Sequence, residues 1–307
     1  MIIVAGPTAS GKSAFALALA QKLGGTVINA DAMQCYRELR VITARPSPAD
    51  EALAPHRLYG VRPAAAPANA AWWRAAALAE MADCALPILC GGTGMYLSAL
   101  INGIAEIPDP GAAARAEARA LLAALGAPAL HARLDAATAA KTDPHNGQRV
   151  ARAYEVYLGT GRGLADWQAA TKAPLRGWDV RMALLEPPRD TLAQAIAARF
   201  AAMLEAGALA EVADLLALGL PADLPILRAH GVPELARHLR GELSLEDAAA
   251  QAVLATSQYT KRQTTWFRHQ KLTGDSAMQI IQTRISGFTQ YLERYTAEFV
   301  NFIKARG

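Results

Sequence analysis

Residues 1–20 read MIIVAGPTASGKSAFALALA, and the eight residues Gly6–Ser13, GPTASGKS, decide the fold. Ile2–Ala5 is an apolar run that reads as a buried strand. Lys12–Leu23 reads as a helix with Phe15, Leu19 and Leu23 on one face. Between them stands G-x-x-x-x-G-K-S, the pattern of a loop that cradles phosphate. Its backbone amides and the positive end of the following helix dipole point at the anion. Gly6, Pro7, Thr8, Ala9, Ser10, Gly11, Lys12 and Ser13 are therefore the expected phosphate-binding set. Lys12 reaches across the phosphate oxygens, and the Ser13 hydroxyl is the expected ligand of Mg²⁺.

Outward from the loop, TVINAD (Thr26–Asp31) reads as a second strand ending on a carboxylate. Strand, helix and strand within about 30 residues is the spacing of a right-handed parallel crossover. NAAWWRAAALAEMADC reads as a helix, and LPILCGGTGMYLSAL as a strand, a glycine turn and a helix. The fold class is α/β, a P-loop NTPase-like parallel sheet with helices on both faces. IPDPG (Ile107–Gly111) breaks the pattern, and Ala112 to about Ala170 holds helical stretches without a strand. These helices form an inserted all-helical subdomain or layer onto the sheet. WDVRMALLEPP restores a strand at Trp178–Pro188, and helices follow to about Gln270 with Gly207, Gly219 and Gly241 at their ends. The expected organisation is a core over 1–111, a helical insertion over 112–177, a largely helical second part of the core over 178–271 and an amphipathic tail over 272–307. In the tail Phe288, Tyr291, Leu292, Tyr295, Phe299, Phe302 and Ile303 share one helical face. That stripe packs against the body or meets a partner.

The chain has 307 residues, 52% of them hydrophobic and 19% charged, which is ample material for a core and its covering layers. A formal net charge of +4 is compatible with an acidic partner without requiring one. Cys35, Cys84 and Cys90 form no CxxC pair and cannot all be bridged, as expected in a reducing compartment. The first apolar run stops at Ala5, too short for a signal peptide, and no run approaches the ~18 apolar residues of a membrane span. A soluble, cytoplasmic, monomeric protein is expected.

Two further residues carry chemistry. Asp31 stands where parallel sheets place their ligands, as a general base for an incoming nucleophile or as a cap of the segment that follows. Thr93, in the glycine turn, bonds substrate or phosphate, caps its helix, or does both. No apolar strand ends in an aspartate placed to hold the metal of a triphosphate site.

GPTASGKS, NADAMQCYREL, PHRLYG, ILCGGTGMYL, NGQRVARAYEV, DLPILRAHGVPEL and YTKRQTTWFRH occur in the order and spacing of the tRNA dimethylallyltransferases, from Ile2 to about His269. The chain resembles that family, whose second-strand signature reads DSMQVYRG. Asp31, Met33, Gln34, Tyr36 and Arg37 match it, while Ala32 and Cys35 differ.

The resemblance implies transfer of a dimethylallyl group from dimethylallyl diphosphate to the exocyclic amine of the adenosine just 3′ of the anticodon, in tRNAs reading codons that begin with U. The loop then holds a diphosphate that leaves. Asp31, Thr93 and Arg228 are the implied catalytic residues, and Arg228 adds a guanidinium to the diphosphate. Met33, Gln34, Tyr36, Arg115, Gln148, Arg149 and Arg152 are the implied tRNA contacts, meeting an anticodon stem-loop whose target base is flipped out. KRQTTWFRHQK (Lys261–Lys271) is either a further RNA contact or a solvated basic face over a buried aromatic pair. A P-loop kinase, an RNA-binding nucleotide switch and an isopentenyltransferase of free adenine nucleotides are the competing readings.

Overall fold

The computed structural model describes residues 1–286 and 290–305. Among these described residues, six strands form one parallel sheet: β1 (Ile2–Ala5), β2 (Thr26–Asn29), β3 (His56–Arg57), β4 (Pro87–Gly91), β5 (Arg181–Leu185) and β6 (Met278–Ile281), in the order β3-β2-β4-β1-β5-β6. β1 is central and buried on both faces, hence its unbroken apolar run. The register aligns Asn29 with Cys90 and Ala5 with Gly91 and Leu184. The segments that leave β1, β2 and β4 therefore emerge side by side at the carboxyl ends of the strands, where open parallel sheets bind their ligands.

Helix Lys12–Leu23 starts after Gly11, buries Phe15, Ala16, Leu17, Leu19 and Ala20, and stops at Gly24, whose N–H bonds to the Ala20 carbonyl. The second strand ends at Asn29, two residues short of Asp31. The Asn29 side chain turns the chain there, accepting from Asp31 N at 2.8 Å and donating to the Asp31 carbonyl at 2.9 Å and the Leu58 carbonyl at 3.0 Å.

The chain divides into two compact units, 1–100 with 176–307, and 101–175. The join thus falls at Ile101, ahead of the proline pair at 108–110. The second unit is helical. Gly111–Leu125 packs with Gly147–Thr160, close enough that a Cβ at Gly159 would meet Pro110 Cα at 2.4 Å. Asn146 caps the latter helix, accepting from Arg149 N at 3.1 Å.

Residues 272–307 are not an appendage. They supply β6 at the sheet edge and helix Gln290–Lys304, which lies on the phosphate-loop helix: Phe299 is fully buried with its ring edge-on to Phe15 at 5.9 Å. Leu292 is buried with it, and Tyr295, Phe302 and Ile303 pack against the same cluster. Tyr291 departs from the expected stripe and is 55% exposed, while Phe288 lies outside the described residues.

Candidate active site

The phosphate loop is held in a conformation that its residue types permit. Gly6 sits at φ 155 and Gly11 at φ 93, and Ala9 takes a left-handed φ of 65. At Gly11 the space is as decisive as the torsion, since a Cβ there would lie 1.9 Å from the Ile285 carbonyl oxygen. Gln263, buried on helix Leu245–His269, fixes the loop from behind by accepting from Thr8 N at 2.9 Å and donating to the Gly92 carbonyl at 2.9 Å. Burial pushes the Lys12 ammonium below its ordinary pKa; Asp31 counteracts this and Arg199 adds to it. The Ser13 hydroxyl meets the Cys90 thiol on β4, whose pKa burial pushes up to about 11.

Asp31 stands across a cavity of about 250 Å³ from the loop. Its Oδ1 accepts from Met33 N at 3.0 Å, so one oxygen does behave as a cap. Among the described residues, no hydrogen bond is made to Oδ2. Thr93 ties β4 to the Asp31 segment: its N–H donates to the Ala30 carbonyl at 3.2 Å, and its Oγ1 accepts from Ala32 N at 3.0 Å. Its carbonyl accepts from Tyr96 N at 2.9 Å, which makes Thr93 the opening residue of helix Gly94–Ile101. Hydroxyl bonding and helix entry thus coexist at this residue.

The cavity has two chemical ends. Thr8, Lys12, Ser13 and Arg199 line the end at the loop, and Ile42, Ile196, Phe200 and Met203 form an apolar wall. Arg228 lines the same cavity from the short 3₁₀ turn Pro225–Arg228, its Nη2 donating to the Asp223 carbonyl at 3.3 Å. His230 and Tyr259 close another side, their rings 4.7 Å apart, with the Arg262 guanidinium 5.5 Å from the Tyr259 ring. Burial lowers the His230 pKa and raises the Tyr259 phenol to about 12, so both rings are neutral at pH 7.

Arg199 belongs to none of the sequence motifs. It lies within helix Arg189–Glu205, with no glycine or proline beside it to mark it, and only the tertiary fold brings it to Lys12 and Asp31. Arg284 is likewise unmarked and reaches the loop from the other side, its Nε donating to the Ala9 carbonyl at 3.0 Å.

Met33 and Gln34 line the cavity, and the Gln34 amide donates to the carbonyls of Thr43 and Ala44 at 2.9 and 3.0 Å. Tyr36 requires correction. Its ring is fully buried and its hydroxyl accepts from Ala68 N at 2.9 Å, so it braces the core and presents no surface to RNA. In the helical unit, Gln148, Arg149 and Arg152 are exposed on one helix; Arg152 pairs with Glu155 at 2.5 Å and Arg115 with Asp109. Within Lys261–Lys271, Phe267 is buried and Trp266 packs over Gly94, while Lys261, Arg262, Arg268 and His269 are exposed.

Among the described residues, no group of three or more His, Cys, Asp or Glu side chains is placed to hold a metal ion. Ser13 and Asp31 are among the side chains with oxygen ligands that line the cavity, with Thr8 and Thr93. This sparse set fits Mg²⁺, which keeps waters and takes substrate phosphates as its other ligands.

A family model described as IPP transferase matches residues 34–270, and one described as isopentenyl transferase matches residues 1–61. A tRNA dimethylallyltransferase of Acidiphilium cryptum is 62% identical over 306 residues, 99% of this chain and 94% of that protein. The chain belongs to the tRNA dimethylallyltransferase family. A tRNA dimethylallyltransferase of Granulibacter bethesdensis is 54% identical over 99% of this chain and 98% of its own length. Each alignment spans 99% of this chain, so the similarity extends into the tail although the motifs stop at His269. Among solved structures, the tRNA isopentenylpyrophosphate transferase of Bacillus halodurans is 28% identical with a TM-score of 0.69, covering 99% of this chain and 96% of that one. A eukaryotic dimethylallyltransferase acting on tRNA is 25% identical with a TM-score of 0.81, covering 100% of this chain and 80% of its own.

Proposed function

We propose that this chain transfers the dimethylallyl group of dimethylallyl diphosphate to the exocyclic amine of the adenosine 3′-adjacent to the anticodon, in tRNAs reading U-initial codons, and releases diphosphate. The observation that carries the reading is one cavity with a phosphate loop at one end, an apolar wall, and a carboxylate facing both. An allylic diphosphate has this same division, and the kinase reading assigns the apolar wall no role. Family membership favours tRNA over a free nucleotide as acceptor.

The adenine amine is a poor nucleophile because its lone pair is delocalised into the ring. The carbon–oxygen bond of the allyl diphosphate breaks as the nitrogen–carbon bond forms, and the electron pair leaves with the diphosphate. Loop amides, Lys12, Arg199 and Arg228 stabilise that departing charge. The proton lost from the amine passes to Asp31, whose Oδ1 is held by Met33 N. Ile196, Phe200 and Met203 house the five-carbon group and exclude water from the allyl carbon. Thr93 holds the Asp31 segment against the glycine turn. Ser13 would hold Mg²⁺ at the loop end of the cavity, where the ion would supply further charge neutralisation for the leaving group.

The target base leaves the anticodon loop to reach the cavity, where the neutral rings of His230 and Tyr259 offer apolar faces to it. Gln148, Arg149, Arg152 and Arg115 meet the RNA backbone. The chain acts as a monomer, and the cytoplasm, where tRNA is matured and used, is its place of action. The test is transfer from labelled dimethylallyl diphosphate to tRNA, AMP and ATP in parallel. Label entering tRNA alone is the expected result; label entering AMP, or consumption of ATP with phosphate transfer, contradicts it.

A further inference from the structure

A second cavity, of about 510 Å³, opens on the other side of the phosphate loop and meets the first at Lys12, Ser13, Arg199 and Met203. Arg40, Arg45 and Arg284 line it as well. Arg40 is ion-paired with Glu51 at 3.0 Å, and Arg45 donates to the carbonyls of Tyr36 and Arg37, both at 3.2 Å. Among the described residues, neither Arg199 nor Arg284 forms an ion pair, and burial pushes Arg199 below its ordinary pKa, with Asp31 opposing this and Arg284 adding to it. Lys12, Arg199 and Arg284 thus converge on the cavity, and Asp31 offsets the charge of Lys12 and Arg199. Such a cluster is unfavourable by itself and is relieved by a bound polyanion.

The segment that carries Arg284 is anchored to the loop at successive residues. Arg284 Nε donates to the Ala9 carbonyl at 3.0 Å, and Ile285 N donates to the Ser10 carbonyl at 3.1 Å. Ile285 packs so tightly over Gly11 that only glycine fits beneath it. With its Nε committed to the loop, Arg284 lines the cavity together with Arg199.

We infer that Arg284 is a diphosphate ligand: the segment after β6 lays a guanidinium on the terminal phosphate, the one farther from the allyl carbon. This rests on the proposed function, and adds to it a binding residue supplied from beyond the motif-bearing part of the chain. The diphosphate spans the two cavities, its allyl end facing Asp31 and its terminal phosphate facing Arg284.

The test separates holding the loop from binding the anion. Arg284→Gln keeps an N–H donor for Ala9 but removes the charge; Arg284→Lys keeps the charge without the fork. Binding of inorganic pyrophosphate with Mg²⁺ is measured by calorimetry on the full chain, beside thermal melts and KM values for dimethylallyl diphosphate and tRNA. The expected result for Arg284→Gln is pyrophosphate affinity and dimethylallyl diphosphate KM each worsened about tenfold, with an unchanged tRNA KM and partial recovery in Arg284→Lys. A folded Arg284→Gln protein with normal pyrophosphate affinity overturns the inference, whatever its melting temperature. If that variant does not fold, phenylglyoxal labelling of the unaltered protein decides. Protection of Arg284 by pyrophosphate supports the inference, and equal labelling with and without pyrophosphate overturns it. A wild-type protein that neither binds pyrophosphate nor transfers would overturn the proposed function, and this inference with it.

Discussion

Gln263 accepts a hydrogen bond from Thr8 N–H at 2.9 Å and returns one from its own amide to the Gly92 carbonyl at 2.9 Å, joining the phosphate loop to the turn that carries Thr93. The side chain is 4% exposed, so truncation leaves two backbone groups without partners away from water. Each costs about 1–3 kcal/mol. Gln263→Leu is expected to lower the melting temperature and to weaken pyrophosphate binding. An unchanged melt and unchanged binding would show that water replaces the amide without loss.

Gly11→Ala is expected to be far more damaging than Gly24→Ala, although both glycines have positive φ. A Cβ at Gly11 would lie 1.9 Å from the Ile285 carbonyl, whereas nothing lies within 4 Å of one at Gly24. Gly24→Ala should cost only the torsional strain, about 1–2 kcal/mol. Gly11→Ala should also displace the 284–285 segment and abolish pyrophosphate binding. Comparable melting temperatures in the two variants would contradict the tight contact.

His230 makes stability depend on pH. Its folded pKa lies below the ordinary 6.5, chiefly through burial and with Arg262 adding to the depression, while Glu234 and Asp31 oppose it. Below pH 6.5 the unfolded chain takes up a proton that the folded chain resists. The contribution is therefore present above that pH and is lost as pH falls through the folded value. Denaturation midpoints should drop more steeply on acidification in the wild type than in His230→Gln. Parallel pH profiles would remove His230 from the acid response.

The arginines of the helical unit are expected to act on RNA alone. Arg149 and Arg152 are both exposed on helix Gly147–Thr160. Replacing both by Ala should weaken tRNA binding and reduce the slope of log affinity against log salt by about 0.7–0.9 for each phosphate no longer neutralised. Pyrophosphate binding should not move. Identical salt series for the double variant and the wild type would count against a role in tRNA binding.

The parts of the fold that local chemistry dictates were legible in the chain. β1 and the phosphate loop announce themselves because a central parallel strand is apolar throughout and the loop needs Gly6 and Gly11. The helical stretch after IPDPG is likewise visible as a loss of strand pattern. β6 was not legible: MQII is four residues long, sits at the sheet edge and has Ile280 exposed, so neither alternation nor a continuous apolar run marks it. Tyr36 illustrates the converse, a motif residue that the family resemblance implied as an RNA contact but whose ring the fold encloses. Arg199 and Arg284 escaped notice because an arginine on a helix or loop carries no local sign of which cavity it borders.

The proposed transfer of the amine proton to Asp31 is tested by single-turnover kinetics of Asp31→Asn with saturating tRNA. Asparagine keeps an oxygen for the Met33 N–H, so the cap and the fold are retained. Asp31→Asn is expected to melt like the wild type and to bind tRNA and pyrophosphate, yet to transfer about 10²–10⁴-fold more slowly at neutral pH. A folded Asp31→Asn enzyme with a near-normal transfer rate would contradict it.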